Sequence, residues 1–281
     1  MVRALSKTFR RLVDRYHGPE GDDFARAELT PVAARFLTPR SRVLEVGCGY
    51  GRNLVALAGV EGCTIVGSDV SAFELERAAA ERIGALPAAQ RARVSLVRQE
   101  SFRLPFRDST FDLVVLWQVV EHLFGEDAKR RVLAECLRVL KSGGHLLIET
   151  PNQWFPVDYH DNLFPFAHWI LPKAAREWIT WKVRGKRYPP SEYVSLPGCE
   201  RILRAVPDVL LLTRATRFYF GASWREAWRR LAGTRAGLKR AIFVAILPLH
   251  ALLTWFGSSG DLFLPSLRVV WRVDKRGRSA P

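Results

Sequence analysis

Cysteine is scarce in this chain, and no two cysteines lie close together. The four present in 281 residues (Cys48, Cys63, Cys136 and Cys199) form no C-x-x-C unit. That excludes a disulfide framework and a cysteine-built metal site, and it fits a reducing, cytoplasmic setting. There is no internal repeat and no low-complexity tract, so solenoid and tail-like architectures are excluded. The basic stretch 1–16 lacks the apolar core of a signal peptide and reads as an amphipathic helix with Leu5, Phe9, Leu12 and Val13 on one face. A bilayer-spanning helix needs ~20 apolar residues. The run 241–257 offers 17 without Asp, Glu, Lys or Arg, but it contains Pro248 and His250.

Acid is also scarce, but only in one half. From residue 151 onward, 21 Lys and Arg stand against 9 Asp and Glu; the first 150 residues carry 22 and 19. The second half should attract polyanions such as nucleic acid, anionic lipid headgroups or phosphorylated substrates. An arginine-favouring genome is the bland alternative.

What is present begins with Val43-Leu44-Glu45-Val46-Gly47-Cys48-Gly49-Tyr50-Gly51, and Asp69 ends a second apolar stretch twenty residues after Gly49. A strand running into close-set glycines lets the backbone approach a ligand. An acid about 20 residues further on suits a ribose diol, so the pattern points to a nucleoside-containing cofactor. A dinucleotide fold wants its third glycine at the sixth position, where this chain has Arg52. Glu45 would sit poorly beside phosphates and suits a cationic ligand. Residues 42–150 alternate short apolar runs with helical patterns: strands at 43–46, 64–68, 94–98, 111–116 and 145–150, helices at 51–58, 71–83 and 126–140. This alternation implies parallel strands with crossover helices.

These residues resemble the class I S-adenosylmethionine-dependent methyltransferases. The resemblance continues through Gln99–Phe106, Phe111–Gln118, Glu121-His122-Leu123, Leu137–Gly144 and His145–Asn152, in family order. It implies an α/β, doubly wound, seven-stranded and mostly parallel Rossmann-like sheet with lid insertions, and S-adenosyl-L-methionine as the cofactor. It further implies that Gly47, Gly49 and Gly51 meet the methionine moiety beside Glu45. Asp69 would then bind the ribose and Val70 pack on the adenine. Glu100 with Ser101 would take the adenine amino group, and Gln118 would lie beside the methionine portion. His122, on the helix after the fourth strand, is the first candidate base, and His160 within Tyr159-His160-Asp161 is the second. Gln118–His122 also resembles the quinone O-methyltransferase branch, where Glu-x-x-Glu-His holds a metal. Gln118 replaces the first acid, so no metal is expected.

The division expected along the chain is N-terminal helices at 1–40, the cofactor core at 41–152 and an aromatic lid at 153–193. Closing strands of the core fall in 194–218 and 263–275, a basic and apolar insertion in 219–262, and a tail at 276–281. Both insertions leave the carboxyl edge of the sheet and should build the acceptor pocket. The expected reaction is methylation, at oxygen, of a small or lipid-linked acceptor. The stretch 225–257 reads equally as a peripheral contact with anionic membrane or as a helix packed on the domain or at a dimer interface, and less well as a span. A nucleic-acid methyltransferase is the less favoured alternative, because Leu116-Trp117-Gln118-Val119 lacks the Asn/Asp-Pro-Pro-aromatic motif of the exocyclic-amine enzymes. A non-catalytic binding protein of the same fold is the third reading.

Overall fold

Burial on both faces explains why the strands read as nearly continuous apolar runs. In the computed structural model, Leu44, Val46, Val114 and Leu116 pack to one side of a sheet, while Val43, Leu113, Val115 and Leu147 pack to the other. Alternate residues of one strand thus enter two separate cores. The structure describes residues 18–158, 160–162, 164–185, 189–216 and 265–276, with isolated positions between 225 and 248. The proposed N-terminal amphipathic helix, Tyr159 and nearly all of 225–257 lie outside the described residues.

The sheet has the order β3-β2-β1-β4-β5-β9-β8. Its members are β1 (Arg42–Val46), β2 (Thr64–Asp69), β3 (Val94–Arg98), β4 (Phe111–Trp117), β5 (Leu140–Pro151), β8 (Val209–Arg214) and β9 (Ser266–Lys275). All neighbours are parallel except β9, which runs antiparallel to both β5 and β8. Helices α1 (Pro19–Ala34) and α2 (Arg52–Ala58) cover one face. Helices α5 (Glu126–Val139) and α8 (Leu196–Arg204) cover the other. Between β2 and β3 lie α3 (Ala72–Arg77) and the short α4 (Ala88–Arg91). The segment after β5 forms a small hairpin of β6 (Val157–Asp158) and β7 (Phe164–Pro165), followed by α6 (Ala167–Ile170) and α7 (Lys173–Arg184).

Three local features differ from the pattern-based expectation. The helix expected over 71–83 is α-helical only to Arg77 and continues as a π-turn over Ala78–Ile83. Apolar spacing alone does not separate the two. β5 begins at Leu140 rather than 145: Phe111 pairs with Leu140 but Leu113 with His145, and Gly143 at φ 76° lets the chain loop out between them. His122 lies on a separate 3-10 turn, Val120–His122, not on the following helix. Gly125 at φ 81° breaks the chain before α5 starts.

Candidate active site

The glycine turn after β1 is held by backbone geometry. Gly47, Gly49 and Gly51 all have positive φ (73°, 48° and 76°), a region that residues with a Cβ rarely adopt. Gly47 has a second constraint, since a Cβ there would lie 2.5 Å from Val119 Cγ2. The turn is tied to β2 by Gly47 N and Cys48 N donating to the Ser68 carbonyl. Asp69 completes the tie: Gly49 N donates to Oδ2 (2.8 Å) and Ser71 N to Oδ1 (2.9 Å). Each carboxylate oxygen keeps a further lone pair for an outside donor such as a hydroxyl.

Glu45 lies beneath this turn and is 1% exposed. Asn53 Nδ2 donates to its Oε1 at 2.7 Å, whereas Oε2 is buried without a hydrogen-bond partner. Burial pushes its pKa up to about 8, partly offset by Asn53. A buried, half-satisfied carboxyl of this kind gains from a cation placed beside it. Val70 is 60% exposed at the end of β2, available as an apolar platform. Glu100 is exposed, half-buried Ser101 adjoins it, and both follow β3. Gln118 closes β4 with φ 56° and donates its N–H to the Glu149 carbonyl at 2.7 Å. These residues gather at the carboxyl ends of β1 to β4.

The turn after Gln118 links this half to the segment that follows β5. Glu121 is fully buried; Thr150 Oγ1 donates to its Oε2 at 2.9 Å, and His160 Nε2 lies 3.6 Å from its Oε1. Burial raises the Glu121 pKa to about 7, against the pull of His160. His122 and His160 bring their ring centroids within 5.3 Å. His122 is exposed on its outer side; the surrounding protein and then His160 hold its pKa below the ordinary imidazole range. Burial disfavours charge on His160, but its Asp161 hydrogen bond and Glu121 outweigh this and raise its pKa.

Behind His160 stands a buried polar network. His160 Nδ1 lies 3.1 Å from Asp161 Oδ1 and 3.2 Å from Ser191 Oγ. Ser191 N and Oγ donate to Asp161 at 2.7 and 2.9 Å. Asp158 accepts from Tyr193 Oη (2.5 Å), Asp161 N (3.0 Å) and Asn162 Nδ2 (3.0 Å). With the Asp161 carboxylate as acceptor, Nδ1 carries the proton and Nε2 points toward Glu121. Glu121, His122 and His160 each present one donor atom within 4.8 Å of the others.

The comparisons with known proteins fall in line with this geometry. A family model described as a methyltransferase domain matches residues 44–148. A demethylmenaquinone methyltransferase of Mycobacterium sp. (strain KMS) is 31% identical over 230 residues, covering 79% of this chain and 83% of that protein. The chain belongs to the class I S-adenosylmethionine-dependent methyltransferases. A probable S-adenosylmethionine-dependent methyltransferase of Mycobacterium tuberculosis is 34% identical over 113 residues, 40% of this chain; the match spans only 36% of that relative's length. An S-adenosylmethionine-dependent methyltransferase from Mesorhizobium loti shares the fold, with TM-score 0.54 and 15% identity over 88% of this chain and 97% of that one. S-adenosylmethionine is the family's cofactor.

In this methyltransferase the sequence pattern missed several groups. Asn53 as the partner of Glu45 sits eight residues away on α2, with no motif to mark it. Thr150, Ser191 and Tyr193 reach the His160 network across 29 to 35 residues. Only His160 and Asp161, adjacent in the Tyr159-His160-Asp161 run, pointed to it from the sequence.

Proposed function

We propose that this protein transfers a methyl group from S-adenosylmethionine to an oxygen of a small, lipid-like acceptor. The donor's methionine portion would lie over Gly47, Gly49 and Gly51, its ammonium beside Glu45 and the Gln118 backbone, its ribose on Asp69, and its adenine between Val70 and Glu100 with Ser101. The observation that carries the acceptor side is the meeting of His122, His160 and buried Glu121 at the ends of β4 and β5. There Val119 of the same turn abuts Gly47. Methyl transfer is an in-line displacement at a reactive sulfonium. The protein therefore has to align the acceptor, exclude water and take up one proton. His122, kept neutral and partly accessible, accepts the hydroxyl proton. His160, held by Asp161, orients the acceptor oxygen. The relative named for demethylmenaquinone supports a lipid-like substrate class, and the aromatic lid provides apolar walls for it.

The test is incubation with isotopically labelled methyl donor and a host lipid extract, followed by mass analysis. The expected product gains one methylene and retains the label on oxygen. A parallel incubation with host RNA that alone takes up label would favour the nucleic-acid reading.

One observation favours a second reading, the three donor atoms of Glu121, His122 and His160 within 4.8 Å. The set fits a divalent cation. Glu121 Oε1 is buried without a hydrogen-bond partner, and Asp161 supports His160 from behind, as carboxylates support metal-binding imidazoles. His160 would then replace the acid that Gln118 does not supply. A cation there would lower the pKa of an acceptor hydroxyl. The metal-free reading is preferred because Glu121 and His160 already compensate each other. Treatment with EDTA should leave melting temperature and turnover unchanged; losses restored by zinc or magnesium would establish the second reading.

A further inference from the structure

The outer surface of the lid carries large apolar side chains that the fold leaves uncovered. Ile170 is 71% exposed, Trp178 55%, Trp169 47% and Phe166 46%. They lie within thirteen residues of one another, on α6, α7 and the turn before them. The placement is not slack packing. Trp169 is anchored by its Nε1 donating to the Gln153 carbonyl at 2.5 Å, and its ring meets Phe166 at 5.5 Å. A concentration of exposed aromatic and aliphatic groups marks a contact surface rather than ordinary scatter.

The charge around these groups has one dominant sign. Of the basic residues in 164–185, Arg176 and Arg184 reach inward to Asp161 (4.0 and 3.9 Å), while Lys173 and Lys182 are exposed; the one acid there is Glu177. Two of the cations lie directly over aromatic faces. Lys182 Nζ is 4.1 Å from the Trp181 ring and 5.6 Å from that of Trp178, and Lys173 Nζ is 5.4 Å from Phe124. Long ammonium side chains beside indoles suit a boundary between hydrocarbon and anionic headgroups, where the ring enters the interface and the charge stays in the wet layer. Protein interface cores are depleted in lysine. A nucleic acid would use the aromatic rings and cations but would gain nothing from Ile170, the most exposed group of the set. Among the described residues no helix is long and apolar enough to cross a membrane.

We propose that the α6–α7 face of the lid is a docking surface for an anionic phospholipid bilayer, with Trp169, Ile170 and Trp178 entering the interface and Lys173 and Lys182 meeting the headgroups. The surface is argued from the lid itself. That it delivers a lipid-like acceptor to His160, on the inner side of the same lid, rests on the functional reading above.

The experiment is vesicle flotation of the full chain. Vesicles of phosphatidylcholine with phosphatidylglycerol should carry the protein up at low salt and release it at high salt; pure phosphatidylcholine should carry little. Ile170→Ser with Trp178→Ser should weaken partitioning at least roughly tenfold, and Lys173→Glu with Lys182→Glu should do so through the salt-sensitive part. Each variant must keep the thermal shift given by S-adenosylhomocysteine, which reports the fold and the donor site independently of the membrane. No flotation of the wild type, unchanged flotation of both variants, or single-stranded RNA binding at physiological salt that competes with the vesicles would overturn the proposal. A bilayer result with no methylated lipid would leave the docking surface standing and remove the acceptor reading.

Discussion

The two halves of this site are built in opposite ways. On the side proposed for the donor, backbone does the shaping: three glycines in the left-handed region and a single carboxylate, Asp69, that gathers two main-chain N–H groups. On the side proposed for the acceptor, side chains do it. Glu121, Thr150, His160, Asp161, Ser191 and Tyr193 come from four separate stretches and meet in a buried network. A backbone site is compact in sequence and tolerates little; a side-chain site is dispersed and can be altered one group at a time without moving the fold.

The comparison can be broken first at the histidines. If His122 takes the proton and Asp161 only positions His160, His122→Ala should lower turnover by about 10²–10⁴. Asp161→Asn should lower it less and shift the pH profile of turnover, because the tautomer of His160 is no longer fixed. Donor affinity by calorimetry should be unchanged in both; a parallel loss would mean that the halves are not independent.

Gly47→Ala tests the backbone half and should abolish measurable binding of S-adenosylhomocysteine. Both the positive φ and the 2.5 Å approach to Val119 oppose the added methyl. Adding Val119→Ala relieves only the contact. Binding that returns fully in the double variant would assign the loss to crowding; binding that stays absent would assign it to the dihedral angle.

Asp69→Asn comes next in size. One oxygen remains to accept from Gly49 or Ser71, so the turn should persist while a charge-assisted bond to the ribose is lost. A fall in donor affinity of roughly tenfold, about 1.4 kcal/mol, is expected, with little change in melting temperature. Unchanged affinity would remove Asp69 from the donor site.

The last test is of pH. The folded-state pKa of Glu45, about 8, lies above its ordinary value of 4.5. Between these values the folded protein keeps the proton and the unfolded chain releases it. The Glu45 contribution is therefore full below about pH 4.5 and is lost as pH rises toward 8. Melting temperature without donor should fall across that window, and Glu45→Gln should flatten the fall. Bound donor should do the same by placing a cation beside the ionised carboxylate. An identical slope in wild type and variant would show that Glu45 ionises freely.

The sheet was legible because its strands are apolar on both faces and short, and because helical patterns separate them. The glycine turn was legible because its residues are contiguous. The π-turn after Arg77 was not, since apolar spacing is blind to a change from an i, i+4 to an i, i+5 bond. Nor was the early start of β5, which depends on Leu140 finding Phe111 across a loop. His122 was recognisable by type but placed on the wrong element, because Gly125 cuts the chain before α5.

From the sequence alone came the order of strands and helices along the chain, the family, and the glycine turn between β1 and α2, because these rest on local periodicity and on backbone freedom that neighbouring residues fix. Only the tertiary structure decided that Asn53 holds Glu45, that Val119 limits Gly47, and that Asp161 and Ser191 hold His160 toward Glu121. Such contacts join residues distant in the chain; they exist only once packing brings the side chains together.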